Sequence, residues 1–186
     1  MKKTKLAPVK VTKEEVRLCV DIGCGKNPKA GFTGLDALDF GQKYVHDVRK
    51  GLPFKANSVD EVHSSHFVEH LTWAERVPFF NELYRVMKPG ATATIITPMW
   101  SHECFYGDPT HKEPMSQWYR LYLCKEWRST QAPHVPYTCD FPINDQSCTG
   151  TLEQHMMTRN PEYQQEAGRS QINSTRDLVV TLKAKK

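Results

Sequence analysis

The chain of 186 residues is 39% hydrophobic and carries a formal net charge of +4, enough for one well-buried domain and too little for two ordinary ones. Seven terminal lysines (Lys2, Lys3, Lys5, Lys10, Lys183, Lys185 and Lys186) leave 18 basic against 21 acidic residues in the body, so contact with nucleic acid is expected only through basic tails. No run approaches the roughly 18 apolar residues of a membrane span, and the six cysteines form no C-x-x-C pair; the expectation is a soluble, non-exported, cytoplasmic chain with reduced thiols and no membrane partner.

Residues 1–14 read as a basic N-terminal tail. Arg17-Leu-Cys-Val-Asp-Ile-Gly23 is a short apolar run closed by glycine, the pattern of a buried strand entering a tight turn. Similar runs at Phe32 to Leu38, Tyr44 to Val48 and Val59 to Ser64 follow after short separations. From Thr72 to Met87, apolar Trp73, Val77, Phe80, Leu83, Tyr84 and Met87 fall at three-and-four spacing, which predicts a helix face. Thr72 and Glu75 suit a capping box, yet Pro78 lacks a donor inside such a helix, so a regular start nearer Pro78 is the competing expectation.

Lys88-Pro89-Gly90 ends that helix, and Ala91 to Pro98, β-rich and uncharged, reads as a central strand. Strand, helix and strand predict a right-handed crossover and an α/β fold. Residues 99–161 form an irregular stretch of aromatics, histidines and prolines, with one expected helix at Ser116 to Trp127. A polar helical stretch near Glu162 to Arg169 and a closing strand, Asp177 to Lys183, complete a single domain over residues 1–186.

The run Asp21-Ile-Gly-Cys-Gly-Lys26 bears on nucleotide chemistry. A phosphate loop requires G-x-x-x-x-G-K-[ST], but Val20 stands at its first glycine and Asn27 at its last position. A dinucleotide fingerprint matches Gly23 and Gly25 but meets Pro28 at its third glycine, and Asp36 follows Gly25 by only eleven residues. What remains is an acid ending the first strand, small residues that admit a ligand to the backbone, and Asp36 placed to accept both hydroxyls of a ribose. A nucleoside without a pyrophosphate fits best.

Asp21-Ile-Gly-Cys-Gly25, Leu35-Asp36, Asp47-Val-Arg-Lys-Gly-Leu-Pro-Phe54, Ser58-Val-Asp-Glu-Val62, Glu69-His70-Leu71 and Arg85-Val-Met-Lys-Pro-Gly90 occur in this order. Together they resemble the small class I, S-adenosylmethionine-dependent methyltransferases of type 11, over roughly residues 17–112 with a weaker echo in the last strand. The resemblance implies a Rossmann-like, mostly parallel sheet of about seven strands with the last antiparallel, S-adenosyl-L-methionine as cofactor, and methyl transfer by in-line displacement. It also implies that Asp21, Gly23, Cys24 and Gly25 line the methionine end of the cofactor, that Asp36 holds the ribose diol, and that Asp47 and the Val48 backbone meet the adenine. Ser64 and His66 would border the amino-acid part or the transferred methyl. The helix that the family places between the first two strands does not fit between Gly25 and Phe32, and the stretch from Val48 to Val59 is equally short. That sheet face is therefore expected to be thin, or covered by the irregular region or by a partner subunit in a homodimer.

Ser101 to His111 follows the fifth strand on the carboxyl edge of the sheet, where open α/β folds bind ligands. His111, with His102, Tyr106 and Asp108 beside it, is expected to face the methyl group, and several family members carry a similar Asp-Pro-Thr-His segment; its other reading is to fix the loop. A histidine suits removal of a proton from an oxygen or nitrogen nucleophile, and His66 is a further catalytic candidate, although in-line positioning alone supplies about 7–11 kcal/mol. The Asp/Asn-Pro-Pro-Tyr and Pro-Cys signatures of DNA-methylating enzymes are missing, so the acceptor stays open between a small molecule and a macromolecule. His66-Phe-Val-Glu-His70 also matches an H-x-x-E-H zinc pattern, but it follows directly on a strand and the resemblance accounts for Glu69-His70-Leu71 without metal, so no metal is expected. A catalytically silent binding or regulatory module is the alternative function.

Overall fold

The structure, a computed structural model, describes residues 17–143 and 176–186. The expected helix at Glu162 to Arg169, the N-terminal tail and the later part of the irregular stretch lie outside them. The apolar runs form β1 (Cys19–Ile22), β2 (Thr33–Asp36), β3 (Tyr44–Val45), β4 (Val59–Ser65), β5 (Met87–Pro98) and β6 (Asp177–Lys183). They build one sheet in the order β3-β2-β1-β4-β5-β6, parallel except for β6, which runs antiparallel to β5. The α/β, Rossmann-like class is as expected, with six strands among the described residues rather than about seven.

Helix α1 (Trp73–Val86) joins β4 to β5. It starts at the earlier of the two expected positions: Thr72 Oγ1 accepts from the Glu75 amide, and the Glu75 carboxylate accepts from the Thr72 amide at 2.8 Å. Pro78 sits inside the helix. Its missing donor frees the Ala74 carbonyl, and because both residues are on the exposed side, water satisfies that group at little cost. The opposite stripe, Phe79, Phe80, Leu83 and Val86, is buried against Val20, Ile22, Val62, Ala93 and Ile95 of the sheet.

The irregular stretch contributes three short helices: α2 (Glu103–Tyr106), α3 (Tyr119–Leu123) and α4 (Lys125–Gln131). The single helix expected at Ser116 to Trp127 is thus two, separated at Cys124, whose backbone is extended. Tyr119 and Tyr137 pack on Phe80 and their hydroxyls bond each other. Burial pushes the Tyr119 phenol upward, and it pushes Tyr137 and the neighbouring Cys139 thiol up to about 12.

Among the described residues no α-helix joins β1 to β2, β2 to β3 or β3 to β4. After β1 the chain turns back so that the Lys29 amide donates to Asp21 Oδ2 at 2.8 Å. After β3 a 3-10 turn (Val48–Lys50) is capped by Asp47, so the expected strand from Tyr44 to Val48 is shorter than its apolar run.

Candidate active site

The carboxyl ends of β1, β2 and β3 bring three acids together around a glycine turn. Gly23 has φ +69°, and a Cβ there would lie 2.4 Å from the Phe67 ring, so only glycine fits without displacing that ring. The Gly25 amide donates to Asp36 Oδ2 at 2.9 Å and the Leu38 amide to Oδ1 at 3.0 Å. Each Asp36 oxygen keeps a second lone pair, the inventory a vicinal diol requires. Asp47 forks with Arg49 at 2.7 to 3.0 Å. That hydrogen bond holds its carboxyl down to about 2, so it remains an acceptor at any physiological pH.

Two hollows meet at Gly23. One of about 160 Å³ is lined by Gly23, Asp36, Asp47, Val48, Phe67 and His70; the other, of about 310 Å³, is lined by Gly23, Asp21, Cys24, Lys29, His63 and Ser65. Together they fall within the size range of about 300–1,000 Å³ typical of small-molecule sites. A larger hollow of about 540 Å³ beside Trp100, Trp118 and Arg120 includes none of the strand-end acids. Its lining offers no carboxylate to accept a ribose diol.

Several expected residues stand differently from the sequence reading. Asp21 is only 4% exposed, and its oxygens face His63 Nδ1 at 2.7 Å and the Lys29 amide, so it braces the turn. Burial, followed by Asp21 and Asp36, pushes the Cys24 thiol upward and keeps it protonated in the second hollow. Ser64 was expected to border the cofactor but is fully buried, because strand alternation turns it with Val62 toward α1; Ser65 lines the hollow instead. The His66 ring lies against Asp177 Oδ1 at 3.2 Å and lines neither hollow.

On the acceptor side, His111 Nδ1 donates to the Phe105 carbonyl at 2.6 Å, which ties down the loop. Asp108 accepts from the amide and hydroxyl of Thr110. His102 is buried and caps α2 by accepting from the Cys104 amide, so it does not face a methyl group. Tyr106 is exposed and donates to the Trp100 carbonyl. The zinc arrangement requiring His66 and His70 on one helix face is not formed, since β4 is followed by a 3-10 turn (Val68–His70) and His66 turns to β6.

Sequence reasoning missed His63, Phe67 and Arg76. His63 was within reach of strand parity, because it stands opposite Asp21 in the β1–β4 pairing. Arg76 left no signal: it is a fully buried cation on an apolar helix, donating to the carbonyls of Val68, Glu113 and Pro114 and lying 4.7 Å from the Trp73 ring centroid. It fixes the loop that carries His111.

Residues 20–95 match a family model described as a methyltransferase domain. No curated protein matches the sequence. The fold is similar to that of an S-adenosylmethionine-dependent methyltransferase from Archaeoglobus fulgidus, with 21% identity, a TM-score of 0.57 and coverage of 90% of this chain and 86% of that one. It is also similar to that of an S-adenosylmethionine-dependent methyltransferase from Methanosarcina mazei, with 16% identity, a TM-score of 0.52 and coverage of 92% and 94%. The matched segment holds the glycine turn, all three strand-end acids and the β4–α1–β5 crossover. That segment is what is similar to a methyltransferase domain, and the likeness to the two solved structures is one of fold. Among the described residues, no helix is long and apolar enough to cross a membrane.

Proposed function

We propose that the chain is an S-adenosylmethionine-dependent methyltransferase and that the two hollows hold S-adenosyl-L-methionine with Asp36 on the ribose diol, Asp47 and the Val48 backbone at the adenine, and the Gly23 to Gly25 turn at the methionine part. The methyl acceptor then enters from the side of His70 and Lys112 and presents an oxygen or nitrogen. One observation carries this reading: the smaller hollow is lined both by Asp36, Asp47 and Val48 and by His70 and Lys112, so the ribose site and the acceptor loop share a cavity. When bound, the cofactor supplies a methyl group on a positively charged sulfur, the electrophile of an in-line displacement.

The chain's own contribution is orientation. Phe67 against Gly23 closes one wall, Asp36 fixes the sugar, and Asp21 with His63 braces the turn on which the methionine part rests. His111 positions the acceptor loop, and His66 serves the start of β6. The thiols of Cys19, Cys24, Cys104, Cys124 and Cys139 are free, which supports a reducing compartment such as the cytoplasm.

A thermal shift experiment with S-adenosylhomocysteine, S-adenosylmethionine and NAD tests the reading. Ligand at a hundred times its dissociation constant stabilises by about 2.7 kcal/mol, which raises the midpoint by several degrees. Both adenosyl ligands should give that shift and NAD none. Asp36→Ala should weaken adenosyl binding by roughly ten- to a hundredfold, the loss of charge-assisted hydrogen bonds worth about 1.5–3 kcal/mol. No shift with either adenosyl ligand would overturn the assignment.

A further inference from the structure

We propose that Glu69, His70 and His111 form a binding site for a divalent transition-metal ion on the acceptor side of the cleft. One ligand atom from each lies within 4.8 Å of the others. Bonds of about 2.0–2.2 Å to a common ion require the atoms to close to about 3–3.5 Å, a side-chain adjustment. His66, the residue the zinc sequence pattern nominates, is outside the cluster.

The carboxylate is the most telling member. Glu69 is fully buried; Oε2 accepts from Thr97 Oγ1 at 3.1 Å, while Oε1 has no hydrogen-bond partner. An unpaired buried carboxylate oxygen is costly, and here it is aimed at lone pairs. His111 must carry its proton on Nδ1, because its partner there is the Phe105 carbonyl, a pure acceptor. In the neutral ring Nε2 therefore presents a lone pair, 3.9 Å from Glu69 Oε1 and 3.8 Å from Asp108 Oδ2. His70 Nδ1 likewise faces the Thr110 carbonyl at 3.3 Å and the Thr110 hydroxyl at 3.1 Å. With both rings neutral, one nitrogen of each and the unpaired carboxylate oxygen lie close together, and a cation among them resolves the arrangement.

The supporting contacts are those of a preorganised metal centre. Backbone carbonyls fix the histidine tautomers and Thr97 fixes the carboxylate, which is how outer groups orient ligands. The Lys112 amide donates to the Glu69 carbonyl at 2.8 Å, and Arg76 clasps the next two carbonyls, so His111 and Glu69 are held in one frame. Two imidazoles and one carboxylate suit zinc, cobalt, iron or manganese and disfavour magnesium or calcium, which prefer all-oxygen sites.

His70 also lines the cavity that contains Asp36, which places the ion beside the methyl acceptor. Resting on the methyl-transfer reading, the ion would coordinate a hydroxyl of the acceptor and make it more acidic. The hydroxyl proton leaves to solvent, the oxygen forms its bond to the methyl carbon, and the carbon–sulfur bond breaks with its electron pair returning to sulfur as a neutral thioether. The acceptor class is then an alcohol or a diol able to chelate.

The test is metal binding by the full chain stripped with a chelator, followed by elemental analysis after adding Zn²⁺ and by visible absorption after adding Co²⁺. One equivalent of Zn²⁺, a d–d spectrum with Co²⁺ and no retention of Mg²⁺ are expected. Glu69→Gln, His70→Ala and His111→Ala should each weaken binding at least tenfold, and His66→Ala should leave it unchanged, with circular dichroism verifying that each variant folds. Less than a stoichiometric amount of Zn²⁺ on the wild type overturns the site, as does undiminished binding in folded Glu69→Gln and His111→Ala. The S-adenosylhomocysteine shift, measured with and without chelator, separates a failed metal site from a failed cofactor site.

Discussion

The two faces of the sheet follow opposite rules. On the side of α1, Val20, Val62, Ala93 and Leu182 stand in one row across four strands and none is more than 2% exposed. On the other side the neighbouring row is Gly34, Asp21, His63, Thr94 and Thr181, largely polar and mostly half-buried. The first face receives α1 and α3; the second lies where the first crossovers contain no helix. A strand residue is apolar here where an element arrives to bury it, and polar groups kept on the other face are available to brace a binding turn.

Substitutions on the two sides should sharpen this contrast. Phe80 is fully buried among Phe79, Tyr119 and Tyr137, and Phe80→Ala should cost about 3–5 kcal/mol in urea denaturation. Thr94→Ala on the opposite face should cost less than about 0.5 kcal/mol; equal costs would erase the distinction. Arg76→Ala removes the guanidinium that donates to the Val68, Glu113 and Pro114 carbonyls and should cost about 3 kcal/mol. It should also speed amide exchange at Lys112 and Glu113, whose amides donate to Glu69. An unchanged exchange rate there would show that Arg76 does not hold the acceptor loop.

His63→Ala is the informative change on the polar side. It removes the partner of a nearly buried carboxylate, so about 2 kcal/mol of stability should go together with part of the adenosyl affinity in calorimetry. Thr72→Ala removes the cap of α1 and should cost about 1 kcal/mol with adenosyl binding intact.

The smallest effect is a pH dependence. The hydrogen bond that His66 donates to the Asp177 carboxylate raises the His66 pKa. A raised folded value gives stability that is complete below the unfolded pKa of about 6.5 and is lost as pH rises through the folded one. The stability gap between wild type and Asp177→Asn should therefore be wider at pH 5.5 than at pH 8.5, by urea midpoints at each pH. A gap that widens with pH would contradict the pairing.

Much of the covered face was legible, since apolar runs and a capped helix are local patterns: β1, β4, α1 and β6 fall close to where spacing put them. The position of Pro78 was harder, because only the finished helix shows that Ala74 and Pro78 look outward together. Within the site, Asp36 and Asp47 stand at strand ends as their motifs implied, while Ser64 missed by one residue of alternation. The grouping of Glu69 with His111 was beyond sequence, since it depends on a loop that returns across 42 positions and is fixed by Arg76, Thr97 and the Phe105 carbonyl. A single helix across residues 116–127 failed for a similar reason: at the break the Leu123 carbonyl accepts from the Phe141 amide and the Lys125 amide donates to Asp140, partners distant in sequence.

The buried Tyr119, Tyr137 and Cys139 sit together in the core, and this gives the molecule an alkaline limit. Unfolded, these groups ionise near pH 8.5 to 10, but in the folded chain their acidities are all weakened, to about 12 for Tyr137 and Cys139. Base therefore favours the unfolded chain progressively above about pH 9, because only there can the three give up their protons. Below that point they contribute no change in charge, and the response of the fold to milder pH falls to groups such as Asp47 and His66.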